Sequence, residues 1–194
     1  GDVQSAMRSL GLSIGDLSNS LSFPLEHSVV LQKVYHLMFS LCFLMGLDPV
    51  EIVSNKMHIN MRKYDEKECK NHSNIKKWTH FSNITGITEQ TVQQVVSTRR
   101  WHIQQVHDIR TAYMLSFNTL SEMVEAFARN RNWLDKYMEH SIALSLFAEL
   151  GELAEVLQWQ NSSTPVAALS DEIFNNFVME LADVFIYLFH FCRI

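Results

Sequence analysis

The chain predicts an all-α domain, on three observations. Only three prolines and six glycines occur in 194 residues. Apolar side chains recur with a 3.6-residue period over long segments, and the strict alternation of a half-buried strand is nearly absent. Pro24, Gly46, Pro49 and Pro165 supply the punctuation, and the segments between them predict helices over 26–45, 49–66, 93–131, 139–160 and 171–193.

The first of these, 26–45, is apolar enough to raise a membrane span. Gln32, Lys33 and His36 interrupt it at helical spacing, which favours a buried core helix. The second begins with Asp48 as cap and Pro49 in the first turn, the preferred residues at those positions. From Glu66 to Val92 the composition shifts to Lys, Asn, His, Ser and Thr with Gly86, the signature of a linker. The long periodic segment 93–131 follows it. In 139–160, Leu146, Leu150, Leu153 and Leu157 form one apolar face, and the polar run Asn161 to Thr164 ends the helix. The last helix has Ser170 as cap, with Asp171 and Glu172 placed to complement the positive end of the helix dipole.

Composition narrows the function classes. With 47% apolar residues the chain can build a core, and it reads as one domain or slightly more. Sixteen Lys plus Arg against twenty-one Asp plus Glu give a net charge of −5, which excludes a primary nucleic-acid-binding role; Arg99-Arg100 is only a local basic spot. Cys42, Cys69 and Cys192 are odd in number and lack metal-ligand spacing, so they read as reduced thiols. The opening residues show no basic segment followed by an apolar one, and the expected location is intracellular, in the cytoplasm, with no membrane association.

The chemistry is concentrated in two acidic stripes. Glu149, Glu152 and Glu155 recur every third residue, on one stripe beside the leucine face of their helix. Glu180 and Asp183 repeat the spacing in an otherwise apolar helix, where Phe177 to Phe191 offers only Tyr187 and His190 as further polar side chains. Carboxylates clustered in apolar surroundings without nearby Lys or Arg repel one another and are poorly solvated, and a hard divalent cation with oxygen ligands relieves both costs. The pattern therefore predicts a metal site.

An internal echo accompanies it. A displacement of 150 residues pairs Leu31 with Leu181, Val34 with Val184, Phe39 with Phe189 and Cys42 with Cys192, which puts Val30 and Lys33 where Glu180 and Asp183 stand. The first predicted helix thus reads as a degenerate copy of the last.

Asn132-Trp133, then Glu149-Leu150-Gly151-Glu152-Leu153-Ala154-Glu155-Val156-Leu157-Gln158-Trp159, then Glu180-Leu181-Ala182-Asp183-Val184-Phe185-Ile186-Tyr187-Leu188 resemble the all-α nucleoside triphosphate pyrophosphatases of the MazG type, most closely the dCTP pyrophosphatases. The resemblance runs in family order from about Phe117 to Ile194. The family's next helix is similar instead to Asn55-Lys56-Met57-His58-Ile59-Asn60-Met61-Arg62-Lys63-Tyr64 near the other end. The resemblance implies a MazG-like four-helix bundle with permuted or partly duplicated helix order. Residues 1–91 would correspond to the end of the family domain and 93–194 to its catalytic beginning.

The resemblance also implies roles. Glu149, Glu152, Glu180 and Asp183 match the family's Mg2+ ligands; Lys56 and Asn60 match residues that contact the nucleotide, Lys56 as a charge for phosphate; Trp133, Trp159 and Tyr187 match aromatics around the base and sugar. Tyr137 stands where the dCTP-hydrolysing members have His, a departure that bears on base preference. The implied reaction is Mg2+-dependent hydrolysis of dCTP or a related pyrimidine deoxynucleoside triphosphate to the monophosphate and pyrophosphate, by a homo-oligomer, dimer or tetramer, that cleanses the nucleotide pool. The competing expectation is a non-catalytic nucleotide-binding or helical assembly module descended from the same family.

Overall fold

The computed structural model describes residues 2–20, 24–70, 106–161 and 166–193. Among these, every regular element is helical and no strand occurs. The helices are α1 (Val3–Asn19), α2 (Pro24–Met45), α3 (Pro49–Lys63), the single turn α4 (Glu66–Cys69), α5 (Val106–Asn130), α6 (Glu139–Leu157) and α7 (Asp171–Phe191). Short 3-10 turns at Leu134–Lys136 and Val166–Ala168 precede α6 and α7.

Helix α1 was not among the predicted elements. Val3, Met7, Leu10, Ile14 and Leu17 follow helical spacing, but Gly11 and Gly15 interrupt the pattern. Helix α1 packs on α6, where a Cβ on Gly11 would make an ordinary contact 3.8 Å from Leu150 Cδ2, and a Cβ on Gly15 would meet open space, so neither glycine is required by packing. Asp2 caps the helix by accepting from the Ser5 N–H.

The predicted starts and stops of the other helices rest on observed caps. Asp48 accepts from the N–H groups of Val50 and Glu51 with Pro49 in the first turn, and Ser170 accepts from Ile173 N–H. Helix α3 ends at Lys63 rather than 66, because Tyr64 and Asp65 leave the helical path before α4. The C-termini of α2 and α5 share one device. Gly46 adopts φ 68° and Leu47 N–H reaches back to Cys42 O at 2.8 Å; Asn132 adopts φ 56° and Trp133 N–H reaches back to Ala128 O at 2.9 Å. The linker expected at 67–92 is thus helical as far as Cys69, while 71–92 and the first part of the helix expected over 93–131 lie outside the described residues.

Two helical pairs form the frame. Helices α6 and α7 pack along their length, as do α1 and α2, and α1 lies on α6. Helix α2 reaches α7 through side chains, with His27 stacked on Phe191, Tyr35 against Cys192 and Phe39 against Phe185. Helix α3 packs against α7 and α5. The core is continuous through all of them, with Leu10, Met38, Leu47, Met57, Leu153, Phe174, Phe177 and Phe185 removed from solvent.

Helix α2 is only partly the buried helix expected. Glu26–Met45 has the length and hydropathy to cross a membrane, yet it packs through Val34, Met38, Leu41, Cys42 and Met45 and leaves Val29 and Phe43 exposed. Cys42 and Cys69 are buried free thiols and Cys192 an exposed one.

Candidate metal centre

Helices α6 and α7 form the site because their leucine and phenylalanine faces pack together and bring the adjoining acidic stripes to a common edge. Ligand oxygens of Glu149, Glu180 and Asp183 all lie within 4.8 Å of one another. Neighbouring oxygens on an octahedral Mg2+ with ligands at about 2.1 Å lie roughly 3 Å apart, so the three carboxylates would draw closer together around an ion. The donor set, three half-buried carboxylates, suits a hard divalent cation.

Of the four expected ligands, Glu152 stands apart. It is exposed at the rim and outside the converging trio, although its charge reaches Glu149, Glu180 and Asp183. Its spacing from Glu149 puts it on the correct stripe but one turn further along, toward solvent. Glu155 is exposed as well.

The electrostatics register the crowding. Burial, then the charges of Asp183, Glu152 and Glu180, push the Glu149 carboxyl up to about 7 against the opposing pull of Lys56. Glu180 and Asp183 are also raised, burial being the largest cause in each and Lys56 the main opposing influence.

Lys56 comes from α3. Its ammonium lies 2.5 Å from Asp183 Oδ2, with the two side chains 11% and 17% exposed. Helix α3 turns this face inward because Ile52, Val53 and Met57 are buried beside it. Asn60 is half-buried one turn along, and Lys63 extends the same stripe. The charge of Lys63 lowers both Glu180 and Asp183. Sequence reasoning passed over Lys63, though positions 56, 60 and 63 share the i, i+4, i+7 spacing of one helix face.

The aromatic residues divide into two groups. Tyr187, one turn beyond Asp183, shares a hydrogen bond with the Ser145 hydroxyl; burial and then the charges of Glu149 and Asp183 raise its phenol. Tyr137 lies against the buried His190 ring, 4.7 Å between centroids, and its phenol is raised by burial and by Tyr187 and Tyr64. Tyr187 therefore borders the carboxylates, with Tyr64 and Tyr137 behind it. Tyr64 was not singled out from the sequence, because its position just past α3 follows only from the turn there.

Trp133 and Trp159 are placed differently from what the resemblance implies. Trp133 is buried, donates its indole N–H to Cys69 O at 3.0 Å and meets Tyr64 and Phe127 edge to face, so it ties α5 to α4 and contributes to the core. Trp159 is 86% exposed in the turn after α6. The helical stripe expected to carry it past Glu155 stops at Leu157.

Arg131 positions the basic helix from behind. Its guanidinium donates twice to Tyr64 O, at 2.8 and 2.5 Å, and once to Phe127 O, and it covers the Phe127 ring at 3.8 Å. This clamp fixes the end of α3 to α5.

The chain matches no protein-family model, no curated protein and no solved structure. Its chemistry rests on the geometry just given.

Proposed function

We propose that the chain is a Mg2+-dependent nucleoside triphosphate pyrophosphohydrolase that cleaves between the α- and β-phosphates of dCTP or a related pyrimidine deoxynucleotide. The observation that carries this reading is the convergence of Glu149, Glu180 and Asp183 with Lys56 beside them, a site that pairs an excess of carboxylate with a largely buried ammonium. Carboxylates alone repel a triphosphate. Carboxylates that hold a cation, with a lysine at the edge, attract it.

Glu149, Glu180 and Asp183 would hold the ion, with Glu152 as the fourth carboxylate available to it. The ion supplies positive charge for the phosphate oxygens and lowers the pKa of water in its vicinity. Lys56 and Lys63 add charge on the side of the leaving pyrophosphate, Asn60 offers an amide for hydrogen bonding, and Tyr187 gives the nucleoside an aromatic ring to lie against. In the reaction a water oxygen bonds to the α-phosphorus, the bond from that phosphorus to the bridging oxygen breaks, pyrophosphate leaves, and the water's protons pass to solvent.

The packing of α3 on α7 within one chain supports completion of the site by residues 46–66 in cis, in a MazG-like bundle of permuted order. Exposed Leu12, Val29, Phe43 and Leu144 support a homo-oligomer.

The test is a panel of canonical and modified nucleoside triphosphates in Mg2+, with inorganic pyrophosphatase added and phosphate measured. Release that requires both the pyrophosphatase and Mg2+ is the expected result. Nucleotide binding without turnover of any member would favour the non-catalytic module.

A further inference from the structure

We propose that Lys56 is an internal counter-ion that keeps the place of the divalent cation, and that it must leave Asp183 before the site can take the ion and the triphosphate together. The inference rests on the metal-dependent reading of the site and adds to it a reason for the lysine's position. In the structure the Lys56 ammonium contacts Asp183 Oδ2 at 2.5 Å, and that carboxylate is also one of the three whose oxygens converge within 4.8 Å. The same carboxylate thus serves two cations. An ammonium seated there would face a divalent ion across a single oxygen, and their repulsion in half-buried surroundings is twice that of two unit charges.

The groups facing Lys56 decide where it can go. Glu149 faces it from α6 and Glu180 and Asp183 from α7, Glu152 adds its charge to those acids from the rim, and Lys63 shares its own helix. Once a cation satisfies the carboxylates, these leave Lys56 no anionic partner except one brought in from outside, and a triphosphate is such a partner. Lysine suits the task because its charge is a point on a flexible four-carbon stem, able to move while Ile52, Val53 and Met57 keep α3 in place. Ion binding without nucleotide is therefore held weak, and the ion and triphosphate load as a pair.

The experiment measures Mn2+ bound to the metal-free full chain without nucleotide, from the spectrum of free Mn2+, for the native protein, Lys56→Met and Lys56→Arg. Lys56→Met, of similar length but uncharged, is expected to bind Mn2+ at least ~10-fold more tightly than the native protein. Lys56→Arg, which keeps the charge, is expected to bind no more tightly than the native protein. Equal or weaker binding by Lys56→Met overturns the proposal, as does tighter binding by Lys56→Arg, and either result leaves the pyrophosphohydrolase reading intact. Absence of Mn2+ binding in all three overturns both. Tighter binding by Lys56→Met with no hydrolysis of any triphosphate by the native protein upholds the counter-ion and removes the enzyme.

Discussion

The ammonium of Lys56 on α3 lies 2.5 Å from the carboxylate of Asp183 on α7, the shortest link between the basic and acidic halves of the site. It converts a patch of mutually repelling carboxylates into a partly balanced one, and it makes the roles of the four acids separable by experiment.

Loss of a converging ligand should cost more than loss of the rim carboxylate. Asp183→Asn and Glu149→Gln are expected to lower kcat by at least ~100-fold, the scale of removing one main electrostatic contact to a transition state. Glu152→Gln is expected to lower it less. Steady-state kinetics at saturating Mg2+, with circular dichroism to confirm folding, checks the ranking, and full activity in excess chelator would remove the metal from the mechanism altogether.

Stability of the metal-free protein should depend on pH through two opposing groups. The Glu149 carboxyl is raised from 4.5 to about 7, so its contribution is fully present below 4.5 and is lost as pH rises through 7. His190 is lowered by burial from 6.5 to about 4, so its contribution is present above 6.5 and lost as pH falls through 4. Melting temperatures in chelator between pH 4.5 and 7.5 should show Glu149→Gln gaining on the native protein as pH rises. A constant difference across that range would contradict the raised carboxyl.

The Arg131 clamp should stabilise the fold and the placement of α3 together. Arg131→Ala removes three hydrogen bonds and the cover over Phe127 from a buried position, an expected loss of about 2–4 kcal/mol by denaturant titration. If α3 carries the phosphate contact, the folded fraction should also show a raised KM.

Asn132 tests the helix end on its own. Its φ of 56° is open to glycine and tolerated by asparagine, so Asn132→Gly should hold or raise Tm, whereas Asn132→Ala should cost about 1 kcal/mol. Trp159→Ala, at a position 86% exposed, should leave Tm and the ranking of bases unchanged, while Tyr187→Ala should alter that ranking.

The helical class was legible because long 3.6-residue patterns, Asp48-Pro49 and Ser170 announce themselves locally. The convergence of Glu149, Glu180 and Asp183 was legible for the same reason, since two helices with adjacent apolar and acidic stripes have few ways to pack. What escaped was non-local. Helix α1 forms despite glycines that weaken it by propensity, because Met7, Leu10, Ile14 and Leu17 are buried in the core; Glu152 differs from Glu149 by one turn of exposure; and Trp133 finds its partner in Cys69, a residue no spacing rule connects to it.

The distance in sequence between α3 and α7 carries a consequence for how the protein is made. Synthesis proceeds from the N-terminus, so α3 emerges with its lysines long before any acid of α6 or α7 exists to receive them. Helix α2 leaves the ribosome with α1 already available to pack on it, but without the α7 side chains that meet His27 and Phe39. Nascent chains stalled before Asp171 should therefore attract chaperones, and the interval before α7 arrives is when misassembly between neighbouring chains is most favoured.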